Sequence, residues 1–166
     1  MTFAHIPAGT AIFLDANTLV YHFANEPMYG TACTQLVKRV EQGQLEGFTS
    51  THVIADVAHR LMTLEAIALW GWPPVGIAAR LRKHRDEISN LKVYLEAVAR
   101  VPRLGITVLP IAQPLVEAAT QASQRHQLLT GDALIVAVMQ NRGLANLASN
   151  DADFDHVPGL TRYAPV

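Results

Sequence analysis

Hydrophobic residues in this chain switch between short unbroken runs and a recurrence every three or four positions, marking out alternating strands and helices. The runs "AIFL" (11–14), "GFTS" (47–50), "GITVLPI" (105–111) and "LANLAS" (144–149) read as strands, with "LTRYAPV" (160–166) as a further edge strand. Leu19, Val20 and Phe23 mark a short helix from Asn17, and Leu36, Val37 and Val40 a second that stops at Gly43. Val53, Val57, Leu61 and Leu64 line a long helix that Ser50 or Thr51 can cap and that Pro73 and Pro74 break. Residues 77–101 predict one or two more helices. "QPLVEAATQASQRHQ" predicts a helix with Pro114 in its first turn, and "TGDALIVAVMQNRG" one capped by Thr130 and stopped by Gly143.

This alternation predicts an α/β/α sandwich around a mainly parallel sheet. A length of 166 residues suits one domain spanning 1–166, with no repeat or linker and with about 70–102 as a helical elaboration. With 50% hydrophobic and 16% charged residues, composition points to a compact globule rather than a disordered chain. No apolar run reaches the ~20 residues of a membrane span, and "MTFAHIPAGTAIFLDA" lacks the basic start of a signal peptide. The lone Cys33 excludes an internal disulfide and a cysteine-rich zinc site, and fits a reducing cytoplasm. A net charge of −1 gives no overall basic footprint, so nucleic-acid binding would need a local patch.

The acids are placed more tellingly than they are numerous. Asp15 follows the first strand, and Asp151 follows the "LANLAS" strand by two residues. Ligand sites in open parallel sheets lie beyond the carboxyl ends of strands, so the two would meet if their strands are neighbours. Asp132 is the only acid in its helix and sits at the electropositive start. Asp56 lies beside Val53 and Val57, which puts a carboxylate at the border of an apolar face. Four such carboxylates make an oxygen-rich pocket suited to Mg²⁺ or Mn²⁺, which activate water for attack on a phosphodiester.

"FLDANTLVYHF", "TSTHVIADVAHRL", "TGDALIVAVMQNRG" and "LASNDADF" resemble, in order and spacing, the four acidic motifs of PIN-domain ribonucleases, and among these the VapC-type toxins. The resemblance implies a compact α/β/α sandwich that cleaves RNA with Mg²⁺ or Mn²⁺. It also implies Asp15, Asp56, Asp132 and Asp151 as metal-binding catalytic acids and Asp153 as a further acid. Asn17 and Ser149 match positions that orient substrate or water. A small antitoxin partner and a homodimer are likewise implied. One departure stands out: the second acid of the family is mostly Glu, and here it is Asp56, shorter by one methylene.

Other readings compete. An EF-hand starting at Asp151 would need Gly and Glu where His156 and Arg162 stand. His52, Asp56 and His59 share a helix face, but no further zinc ligand accompanies them. "FLDANT" resembles the haloacid-dehalogenase phosphatase motif, except that Asn17 stands where that motif has a second Asp. A non-catalytic PIN-like module binding RNA or protein is the remaining alternative. Asp155 reads as a surface acid. His59, Arg60, Arg82 and Arg85 are candidate RNA contacts, the last two within the basic run "RLRKHR".

Overall fold

The computed structural model describes residues 1–166. Five strands form one sheet: β1 (Ala11–Leu14), β2 (Glu46–Ser50), β3 (Thr107–Leu109), β4 (Asn146–Ala148) and β5 (Thr161–Tyr163). Their order is β3-β2-β1-β4-β5, and every pairing is parallel. Ile12, Phe13 and Leu14 are wholly buried, as a central strand covered on both faces requires.

Eight helices connect the strands: α1 (Ala16–Phe23), α2 (Gly30–Glu41), α3 (Thr51–Trp70), α4 (Ile77–Lys83), α5 (Arg85–Ile88), α6 (Val93–Arg100), α7 (Gln113–His126) and α8 (Thr130–Arg142). The chain steps outward from β1 through β2 to β3, then crosses back to β4 on the other side of β1. Right-handed crossovers in opposite directions place α7 and α8 on the face opposite α1 to α6. The expected sandwich is therefore present, with a sheet that is parallel throughout.

Two cores hold these layers. The larger has 34 buried residues around β1 and β4; the smaller consists of Ala66, Leu81 and Leu91, flanked by Met62, Trp70 and Trp72. The second core is the base of the helical elaboration. Glu65 on α3 fastens it by accepting hydrogen bonds from the Lys92 and Val93 amides, both at 3.0 Å, at the start of α6. Those amides have no partner within their own helix, so a carboxylate there satisfies them and complements the helix dipole.

Capping differs in detail from the sequence expectation. Ser50 occupies the cap position of α3, but its hydroxyl pairs with the His52 ring at 2.8 Å instead of the backbone. The Thr51 hydroxyl accepts from the Ile111 amide at 3.2 Å. Thr130 is the first residue of α8, and Leu129 takes the cap position without a side-chain bond. Three short 3-10 turns, at 3–5, 101–104 and 152–156, have too few residues to leave a periodic signal.

Candidate active site

The point where strand order reverses, between β1 and β4, is where an open parallel sheet leaves a crevice at its carboxyl edge. Leu14 pairs with Ala148, and the Asp15 amide continues the ladder by donating to the Ala148 carbonyl at 3.1 Å. Asp15 and Asp151 are thus brought to one edge by neighbouring strands, as their positions predicted.

Asp15 is 7% exposed and fully engaged. One carboxylate oxygen accepts the Ala16 amide and so caps α1. The other accepts the Asn17 side-chain amide and, at 2.7 Å, the Ser149 hydroxyl. Ser149 Oγ in turn accepts from Asn17 Nδ2 and from the Asp151 amide, each at 3.0 Å. Asn17 Oδ1 receives the Asn150 amide at 3.0 Å. The Thr18 hydroxyl donates to the Ala148 carbonyl at 2.9 Å, which closes the seam between β4 and α1. Asn17 and Ser149, predicted as orienting residues, are the two side chains that clamp Asp15.

Burial pushes the Asp15 carboxyl above its ordinary range; the bonds from Ser149 and Ala16 and the charge of Arg60 oppose that rise, and Asp151 adds to it. Asp132, half-buried in the first turn of α8, is pushed up to about 6. Desolvation is the largest cause, followed by repulsion from Asp15, Asp151, Asp153 and Asp56. The other four predicted acids therefore all lie within electrostatic reach of Asp132.

They are not equivalent. Asp56 is exposed on α3, because its side chain points off the apolar stripe of Val53, Val57 and Leu61; the expected border position is corrected accordingly. Asp151 Oδ1 accepts the Asp153 amide at 2.9 Å. The carboxylates of Asp56, Asp132 and Asp153 make no hydrogen bond or ion pair with the protein. No three His, Cys, Asp or Glu side chains converge closely enough to ligate one ion as they lie. The donor set nonetheless suits a hard divalent cation, being all oxygen, with the Asp56, Asp132 and Asp153 carboxylates unengaged.

The candidate RNA contacts divide into two groups. Arg60 lines a cleft of about 350 Å³ with Asn17, Tyr21, Asn150, Asp151 and Ala152, directly beside the acids. His59 is exposed on α3. Arg82 and Arg85 lie in the elaboration, on α4 and α5.

Sequence reasoning missed one brace. Arg162 on β5 forms a two-pronged pair with Asp155, both contacts at 2.7 Å, and donates to the Ser149 carbonyl at 3.1 Å. Asp155 is a surface acid as expected, yet its partner steadies the clamp residue. No local pattern joins these residues; β4–β5 pairing sets Arg162 beside Ser149, and the 3-10 turn between the strands presents Asp155 to it.

A fold with this strand order and an acid-lined crevice at the reversal point defines a class. The chain belongs to the PIN-domain family, whose model matches residues 12–160. Within that class its relatives are VapC ribonucleases: one from Mycobacterium bovis and VapC13 from Mycobacterium tuberculosis. Each is 45% identical over 156 residues, covering 92% of this chain and 99% of theirs. Among solved structures, VapC20 of M. tuberculosis, a toxin described as cleaving the sarcin-ricin loop, aligns with a TM-score of 0.60 at 20% identity, covering 89% of this chain and 95% of that one. VapBC2 of Rickettsia felis, solved on a promoter DNA fragment, aligns at 0.55 with 12% identity, covering 93% and 98%. At such identities these structures establish the shared fold.

Proposed function

We propose that this protein is a metal-dependent endoribonuclease, the toxin of a toxin–antitoxin pair, which hydrolyses RNA phosphodiesters with activated water in the cytoplasm. The observation that carries this reading is the crowding of Asp132 by four other carboxylates at the crevice between β1 and β4. Asp15, Asp132 and Asp151, with Asp56 and Asp153, would hold Mg²⁺ or Mn²⁺. Such an ion, when bound, offsets charge on the phosphate and eases deprotonation of water.

The protein's own contributions follow from the site. Asn17 and Ser149 fix Asp15 in one rotamer, so the central carboxylate is oriented before any ligand arrives. Burial and the neighbouring carboxylates push Asp132 up to about 6, which would couple cation capture to pH. Arg60 lines the crevice and is suited to a flanking phosphate. No side chain is a fit nucleophile. Ser149 is wholly buried and donates to Asp15, and the buried Cys33 thiol is pushed up to about 12. Asn17, bound to both Asp15 and Ser149, leaves no second carboxylate for the phosphatase alternative. A small antitoxin and a homodimer complete the proposal and rest on the family.

A second reading, a non-catalytic RNA-binding module, is favoured by the carboxylates not converging on one point. Labelled structured RNA incubated with Mn²⁺ or EDTA, beside Asp15→Asn, separates the two. Cuts that need metal and vanish in the variant support the nuclease, whereas binding without cutting supports the module.

A further inference from the structure

We propose that the helical elaboration carries a second RNA-binding site, in which Arg80, Lys83 and His84 receive the phosphate and base of an unstacked strand. The proposal rests on the ribonuclease reading. An acid-lined crevice in a chain of net charge −1 repels RNA, so the substrate needs attraction from elsewhere on the surface.

That attraction is concentrated in one place. Four of the chain's 13 lysines and arginines fall within residues 80–85. Arg80, Arg82, Lys83, His84 and Arg85 are all exposed, and none is ion-paired; the chain's one salt bridge is Arg162–Asp155. The acids that follow form no ion pair with them: Asp86 has no such partner, and the Glu87 carboxylate accepts from the Asn90 side-chain amide at 3.1 Å.

Aromatic rings sit among the cations. Trp72 lies 4.6 Å from Trp70 and 5.2 Å from the His84 ring, and the Arg80 guanidinium stands 5.7 Å above it. Trp70 and Trp72 root this stack in the smaller core, which leaves His84 and Arg80 as its outward members. Arg80, Lys83 and His84 also line a cavity of about 270 Å³ with Val75, Gly76 and Ala79. Planar groups alternating with cations match the repeating base and phosphate of a single strand, and His and Arg planes both serve as stacking platforms. An acidic protein would use the cations but not the rings.

The location suits a separate site. Trp70 follows Asp56 by fourteen helical residues, which is ~21 Å along α3 at ~1.5 Å per residue. A strand held here would reach the crevice across several nucleotides.

The test uses the full chain carrying Asp15→Asn, so that RNA is bound without being cut. Trp70 and Trp72 are the chain's only tryptophans, so quenching by RNA seated on the stack is read without background from any other tryptophan. Arg80→Gln with Lys83→Gln should abolish the quenching and reduce the slope of log affinity against log salt by ~1.4, for two single-strand phosphate contacts at ~0.7 each. Both changes lie on the surface, and unchanged circular dichroism will show the fold intact. The same two-charge loss at Arg103 and Arg125 should leave slope and quenching as they were. Equal losses from the two pairs overturn the site, as does quenching by an acidic protein but not by RNA. A wild-type chain that cuts RNA while the Arg80/Lys83 pair changes neither readout loses this site and keeps the ribonuclease reading. A chain that neither cuts nor binds RNA loses both.

Discussion

The Ser149 hydroxyl donates to the Asp15 carboxylate at 2.7 Å, joining residues 134 positions apart at the ends of β4 and β1. Ser149→Ala removes this donor and also the acceptor of two further bonds, from Asn17 and the Asp151 amide. A buried network broken on one side loses roughly 1–3 kcal/mol, so thermal denaturation should show a Tm several degrees lower. Cleavage should fall further than the remaining folded fraction accounts for, because Asp15 loses its clamp. Normal cleavage at a temperature where the variant is fully folded would remove Ser149 from the site.

Asp132 makes the metal-free protein's stability depend on pH, with a definite sign. A carboxyl whose folded pKa is raised favours the protonated folded state. Stability therefore falls as pH climbs from about 3.8 towards about 6 and keeps that deficit above it. Asp15, also raised, acts in the same direction. Asp132→Asn should flatten the descent and stabilise the metal-free chain at pH 7 by about 1 kcal/mol, allowing for solvent screening at a half-exposed group. Denaturation midpoints across pH 4 to 8 check this, and parallel curves for the two proteins would refute it.

Mn²⁺ or Mg²⁺ should raise the Tm at pH 7.5, and EDTA should reverse the rise, since a ligand of the folded state stabilises it by mass action. The rise should shrink below pH ~6, where protons compete for Asp132. It should be absent from Asp15→Asn. Equal metal stabilisation in that variant would place the cation elsewhere.

Gly47 in β2 is required by packing. A Cβ there would stand 2.5 Å from Val40 Cγ1 and 3.1 Å from Cγ2 on α2. Gly47→Ala should lower stability by roughly 1–3 kcal/mol through overpacking. Adding Val40→Ala to it should recover part of the loss, a coupling that a double-mutant cycle in urea measures directly.

Much of the fold was legible because its signals are local. "AIFL" reads as a strand because every residue is apolar, and Val53, Val57 and Leu61 read as a helix face because they recur with the helical period. Asp15, Asp132 and Asp151 stand at element ends, where a carboxylate is conspicuous. Asp56 was misjudged because its neighbours in sequence are apolar while its side chain turns away from them to solvent. Arg162 and Asp155 gave no sign of their partnership, since neither belongs to a pattern.

The chain alone determined the alternation of elements, the direction of the sheet and which acids end its strands, since these follow from residue type and spacing. Only the tertiary structure decided that β4 lies beside β1, and with it the contact of Ser149 with Asp15 and the gathering of four carboxylates around Asp132. It also decided that Trp70 and Trp72 root a stack faced by Arg80 and His84. The reason is physical: periodicity reports which face of an element is buried, whereas contacts between residues over a hundred positions apart depend on strand order, which no local pattern carries.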